Sequence, residues 1–176
     1  MVTKEDMIAF FKVQASPFFW REKAEQLKFA AEILWPHAKS RYDIIIKSVK
    51  EKKELNLKIL VPDTFSIFLS LLGFSTEALL KGVIIRDNPS YVSNGILSSK
   101  LTIHDLIALS KIAQLPLSKN EKIFCKQAYK AMMVESRYPI PKGIEKPNYA
   151  LEIGGHCKEV FTGLYERLYP TLGQFN

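Results

Sequence analysis

VPDTFSIFLSLLGFSTEALLKGVIIR, residues Val61 to Arg86, is the longest apolar run in the chain. One narrow line of small and polar residues crosses it. Ser66, Ser70, Gly73, Glu77 and Lys81 follow one another at steps of four, three, four and four, which places all five on one face of a 3.6-residue helix. Phe65, Leu69, Leu72, Leu79, Leu80 and Val83 cover the rest. A helix apolar almost all round belongs in an interior. The stretch therefore predicts the central rod of an all-α domain, opened by Pro62-Asp63, with a polar seam turned toward something particular. Glu77 and Lys81 form an i, i+4 pair in the favourable order. Either they neutralise each other inside the fold, or they line a cleft or a symmetric interface. Gly73, on the same face, allows a second backbone to come close.

The run is nearly long enough to cross a membrane. Glu77 and Lys81 interrupt it, a carboxylate in hydrocarbon is costly, and no second such run exists, so a soluble core helix is expected and no membrane partner. The chain has 176 residues, 47% hydrophobic and 24% charged, a composition ordinary for one globular domain. Two cysteines far apart, Cys125 and Cys157, give no disulfide framework, and a reducing cytoplasm is the expected compartment. The N-terminal MVTKEDMIAFFKVQ places acidic residues before its apolar part, unlike a signal peptide. The net charge of +7 permits an anionic partner such as RNA but is equally that of a soluble basic surface.

Outward from the central run the signals are helical. Residues 3 to 14 read as a short first helix with Met7, Phe10 and Phe11 on one side. Ser16-Pro17 reads as a cap followed by proline at the first helical position. Trp20, Ala24, Leu27, Ala31 and Leu34 then mark an amphipathic helix over about 17 to 35. Pro36 is expected to kink or restart the chain, and Tyr42, Ile45, Ile46 and Val49 make a second stripe from about 37 to 56. Its lysine-rich end is either a phosphate-binding patch or a solvated helix terminus. Residues 87 to 100 read as a loop in which Asn94-Gly95 marks a turn, with flanks too short for a hairpin. Thr102 and Asp105 have capping-box spacing and predict a helix over roughly 103 to 114, ended by Pro116. Ser118 and Glu121 repeat the pattern and open a helix over about 119 to 136, with Phe124, Ala128, Ala131 and Met132 as its core face. Pro139 and Pro141 stop it. A last helix, about 154 to 169, buries Val160, Phe161, Leu164 and Leu168. The expectation is an all-α antiparallel helical bundle of about five to seven helices. Residues 1–60 form N-terminal helices, 61–142 the core, and 143–176 a loop and last helix.

No phosphate-binding glycine loop, dinucleotide fingerprint, HExxH or paired CxxC occurs, and no cofactor or metal is expected. His104 is read in the first turn of its helix, where the partial positive charge favours the neutral ring. It is either a general base or ligand contact, or a residue that orders the preceding loop. Arg137, at a helix end before Pro-Ile-Pro, can hold helix carbonyls, the Glu77 carboxylate, or an RNA phosphate.

Three segments together resemble the HEPN superfamily of helical bundles: FLSLLGFSTEALLKGVII (68–85) with its Glu-x-x-x-Lys-Gly, LTIHDLIALSKIAQLPLSKNEK (101–122) with a His-Asp-Leu helix entry, and Glu135-Ser136-Arg137-Tyr138-Pro139-Ile140-Pro141, close to the Arg-Tyr-Pro ending of one HEPN-like group. The resemblance implies a bundle that is often a homodimer. Many members are metal-independent RNases of toxin–antitoxin, abortive-infection or CRISPR systems, in which an Arg precedes a His by four to six residues. Arg137 is the candidate for that arginine, but Lys142, Gly143 and Ile144 follow, and no Arg in this chain has a His at that distance. The favoured expectation is thus a non-catalytic HEPN-like domain that binds a partner protein, RNA, a nucleotide or an antitoxin-type protein. Its ligand or interface seam would be Ser70, Gly73, Glu77, Lys81, Asp105 and Tyr138. One alternative is an endoribonuclease using Arg137 and His104. Another is a structural scaffold whose seam is a dimer contact.

Overall fold

A computed structural model describes residues 2–51, 64–135 and 156–173. Among these residues the chain forms six α-helices: α1 (Lys4–Gln14), α2 (Pro17–Lys50), α3 (Phe65–Asp87), α4 (Leu106–Ile112), α5 (Lys119–Lys130) and α6 (Cys157–Leu168). The all-helical bundle expected from periodicity is the fold, with α3 at its centre. From Phe68 to Ile85 every residue of α3 except Leu71 and Phe74 is buried. It is long and apolar enough for a membrane span, but 83% of its most apolar window is covered by the protein itself.

The longest contact on α3 is made by α2, running antiparallel. Trp20 lies beside Gly82, Ser75 donates to the Ala24 carbonyl at 2.8 Å, Trp35 packs on Phe68 at 4.9 Å, and Tyr42 stacks on Phe65 at 5.5 Å. Ala24, Ala31 and Ala38 recur at steps of seven and are fully buried. Seven residues are nearly two turns, so the three methyls form one line down the helix. Small side chains at a crossing shorten the distance between axes. Pro36 does not break α2, contrary to the expected restart. Its missing N–H leaves the Glu32 carbonyl without its helical donor, but Glu32 and Pro36 both lie on the exposed side, where the carbonyl is open to water.

The far side of α3 is covered by α5 and α6. A methyl built on Gly73 would lie 2.5 Å from Met132 Sδ and 3.1 Å from Ala128 Cβ, so the glycine serves the close approach of α5. Phe124 of α5 meets Phe161 of α6 at 6.1 Å, and Arg167 pairs with Glu121 at 2.8 Å. The four core residues read for α5 are all fully buried. Its capping box forms as read, with Glu121 N–H donating to Ser118 Oγ and Ser118 N–H to Glu121 Oε2. Beyond Lys130 the helix loosens into a π-helical turn, Ala131–Glu135. Phe161, Leu164 and Leu168 of α6 are buried as read, while Val160 is partly so.

Three local readings are corrected. Helix α4 begins at Leu106, not near 103, because Asp105 is itself the cap: its Oδ1 accepts from Ile107 N–H and Ala108 N–H at 2.8 and 3.0 Å. Thr102 instead donates to the Ser99 carbonyl and closes a 3-10 turn, Ser99–Leu101. The helix ends before Pro116, where Gln114 takes φ +54°. A miniature hairpin also forms, β1 (Val92–Ser93) against β2 (Ile96–Leu97). Asn94 and Gly95 at φ +51° and +75° make the turn whose twist matches the strands. Two residues per strand do not hold alone. Val92 and Leu97 lie against the core, and that packing supplies what the flanks lack. The Ser16-Pro17 helix start is as read, but the Ser16 hydroxyl is buried without a hydrogen bond among the described residues.

Gly73 and Gly163 give opposite expectations. Gly163 is mid-helix with nothing within 4 Å of an added methyl. Gly163→Ala should stabilise by about 0.5–1 kcal/mol through helix propensity. Gly73→Ala should destabilise by about 1–2 kcal/mol, overpacking against Met132 outweighing the same propensity gain. Urea denaturation of the two variants beside the parent checks both signs.

Candidate functional site

The seam divides once the helix is packed. Ser70 donates to the Ser66 carbonyl at 2.7 Å, and neighbouring Thr76 to that of Leu72 at 2.9 Å. Each hydroxyl satisfies itself on its own helix, the back-bonding open to any Ser or Thr four residues past a carbonyl. Gly73 is filled by Met132. What remains is Glu77 and Lys81. Lys81 Nζ donates to Glu77 Oε1 at 2.6 Å, with both residues buried, 4% and 7% exposed. The Trp20 indole lies 5.8 Å from the ammonium. The seam therefore faces the chain's own helices.

One further residue reaches this pair. His104 precedes the α4 cap and is not in its first turn. Its Nδ1 is 3.1 Å from each Glu77 oxygen. A carboxylate accepts, so Nδ1 carries the proton and Nε2 is the nitrogen left for other partners. The side chain is 46% exposed, and it links the buried pair to the surface. The nearest charge to the ring is thus the Glu77 carboxylate, not the helix end invoked from sequence. This contact ties the 3-10 turn and loop before α4 to the middle of α3. Asp105 takes no part, since its carboxylate caps α4. Arg137 and Tyr138 lie outside the described residues, as does most of the lysine-rich stretch after Lys50.

Chemically, the cluster is a carboxylate shared by an ammonium and an imidazole. It can fix the orientation of the ring through Nδ1–H, the orienting half of a general-base arrangement. Among the described residues no three His, Cys, Asp or Glu side chains converge as metal ligands. Cys125 and Cys157 are free and buried. Burial, with Glu121 and Asp105 near the first and Glu159 near the second, pushes both thiols up to about 12, so neither offers a thiolate nucleophile.

Sequence reading missed a second polar cluster that fastens the C-terminal end to α2. Arg21 lies over the Tyr169 ring at 4.2 Å and donates to the Tyr169 hydroxyl and the Gly173 carbonyl. The Tyr169 hydroxyl donates to Glu25 at 2.8 Å, and Tyr165 stacks on Tyr169 at 4.9 Å. Burial, then Tyr169 and Glu25, raises the Tyr165 phenol. No spacing rule links residues this far apart in the chain. No protein family, curated protein or solved structure matches the chain.

Glu77→Ala leaves Lys81 buried without its counter-charge, and a loss of about 3–5 kcal/mol is expected. Glu77→Leu with Lys81→Met should recover most of it, because the desolvation cost of both ions disappears. His104→Ala should cost about 1 kcal/mol or less, since the ring is half in water. Guanidinium unfolding of the three variants decides whether the cluster is held together by the buried pair.

Proposed function

We propose that the chain is a non-catalytic, HEPN-like helical domain that binds a partner protein through its N-terminal helices. The observation that carries this is the apolar surface of α1 and α2. Met7, Phe10, Val13, Phe19, Phe29 and Ile33 all stand in water, several of them more than half exposed. Met7, Phe10 and Val13 recur at steps of three on α1, Phe29 and Ile33 at a step of four on α2, and such rows of exposed large apolar side chains mark an interaction surface. Among the described residues, by contrast, Ser70, Gly73, Glu77 and Lys81 are buried, and His104 beside Glu77 is half-exposed. The HEPN resemblance would set such a partner in a defence or toxin–antitoxin context, and the two buried free thiols suit a cytoplasmic setting.

One observation favours a second reading, a metal-independent endoribonuclease. Glu77 holds Nδ1 of His104, leaving Nε2 for a proton transfer with Arg137 as the phosphate contact. The two readings part on one assay, RNA cleavage by the purified protein in EDTA. The expected outcome is no cleavage above background by the parent, His104→Ala or Arg137→Ala, with all three folded by circular dichroism. Cleavage by the parent that disappears in both variants would replace the binding-domain reading with the nuclease.

A further inference from the structure

Helix α2 turns two lines of residues in opposite directions. Ala24, Ala31 and Ala38 are buried on the side of α3. At about 100° per residue, Phe29, Ile33, Pro36, Ser40 and Ile44 fall about 180° from that line, within an arc of about 80°. They follow one another at steps of four, three, four and four. Phe29 and Ile33 are 64% and 60% exposed, Pro36 and Ser40 are exposed, and Ile44 is half-buried. Pro36 and Ser40 are short where Ile33 and Ile44 are long. A groove of about 430 Å³ opens there, lined by Pro36, Lys39, Ser40, Asp43, Ile44 and Lys47.

We infer that this face docks one amphipathic helix of a different protein, with a large apolar side chain seated in the groove and carboxylates beside Lys39 and Lys47. The site rests on the partner binding proposed above and gives that partner its chemistry. Three observations select this occupant. Residues at steps of three and four make the row of ridges and holes into which a second helix fits. The row from Phe29 to Lys47 is about 27 Å long, five turns of helix. The groove supplies a hole for a knob larger than the residues that line its floor. Charge is also uneven along α2. Over residues 17–35, Arg21, Lys23 and Lys28 balance Glu22, Glu25 and Glu32. Over 36–50, Lys39, Arg41, Lys47 and Lys50 stand against Asp43, four cations to one anion or +3, and Asp43 pairs with Lys39 at 2.5 Å. A helix neutral at one end and acidic at the other complements that gradient. A second copy would bring the same excess of cations, and a nucleic-acid backbone would meet the lysines while leaving Phe29 and Ile33 in water.

The probe is a fluorescein-labelled helical peptide of about five turns, with leucines at steps of three and four and glutamates flanking the leucines of one half. It is titrated with the full chain and read by anisotropy. Saturation below about 100 µM chain is expected, since specific interfaces hold at micromolar concentration or tighter. Ile33→Glu, which sets a carboxylate among the apolar contacts, should weaken binding about 10-fold or more with unchanged helical circular dichroism. Lys39→Glu with Lys47→Glu should weaken it to a similar extent. A peptide with lysines in place of the glutamates should bind that double variant better than it binds the parent. Phe10→Glu, on α1, should bind as the parent does. Absence of saturation overturns the inference, as does binding that survives Ile33→Glu or ignores the charge exchange, because leucines that merely adhere would do both. A parent dimer by light scattering that Ile33→Glu dissociates would also overturn it, giving the face to a second copy. So would a short RNA that displaces the peptide and needs the lysines but not Ile33. Failure here with no RNA cleavage in EDTA would leave partner binding to the α1 surface, whereas cleavage would remove the proposed function and leave peptide binding as measured, so the two failures are distinguishable.

Discussion

Everything in this fold answers to the burial of α3. A 23-residue helix that is apolar but for one narrow polar line must be covered on all sides, and each neighbour does so with side chains suited to its distance. Helix α2 brings an alanine line and approaches closely. Ala128 of α5 and Met132 of the π-helical turn that follows it fill the space left at Gly73 of α3. Leu172, at the C-terminal end, closes over Gly82 beside Trp20. Each fully buried Leu, Ile or Phe contributes about 1.5–3 kcal/mol relative to exposure. The central helix alone therefore outweighs any single surface interaction described here.

Within that apolar rod, Glu77 and Lys81 are a cost the fold accepts. Two ions removed from water regain by mutual attraction only part of what they lose. Their placement four residues apart on one helix limits the loss, because the backbone already sets them side by side. His104 adds a second donor to the carboxylate and reaches the surface. The same contact joins a buried electrostatic feature to the loop that precedes α4. This is where structure and any activity of the seam converge.

The N-terminal helices show the converse. Alanine, tryptophan and tyrosine on one side of α2 meet α3, while Phe29 and Ile33 on the opposite side are mostly exposed. Periodicity identified the inward stripe because a stripe of buried residues repeats every three to four positions. It gave no notice of the outward pair, since two apolar residues among polar neighbours carry no period. In α1 the reading put Met7, Phe10 and Phe11 on one side. The fold separates them: Phe11 turns toward the core and the other two face out.

Short-range chemistry was legible from the residues. The Ser118–Glu121 box, the helix start at Pro17, the core face of α5 and the burial of α3 all depend on neighbours within a turn or two. Where a local rule misplaced a boundary, a competing bond of similar strength won. Asp105 capped α4 by itself instead of serving Thr102, and the bond that Pro36 removes falls on the exposed side of α2. The hairpin at Asn94-Gly95 exists because Val92 and Leu97 find the core. By itself the sequence determined an all-helical domain built round one apolar rod with a polar seam. Only the tertiary structure decided that Ser70 and Gly73 are consumed inside, that His104 meets Glu77, and that one edge of α1 stays bare. Those outcomes turn on contacts between residues distant in the chain, and the periodicity of a single helix carries no information about which neighbour will cover each face.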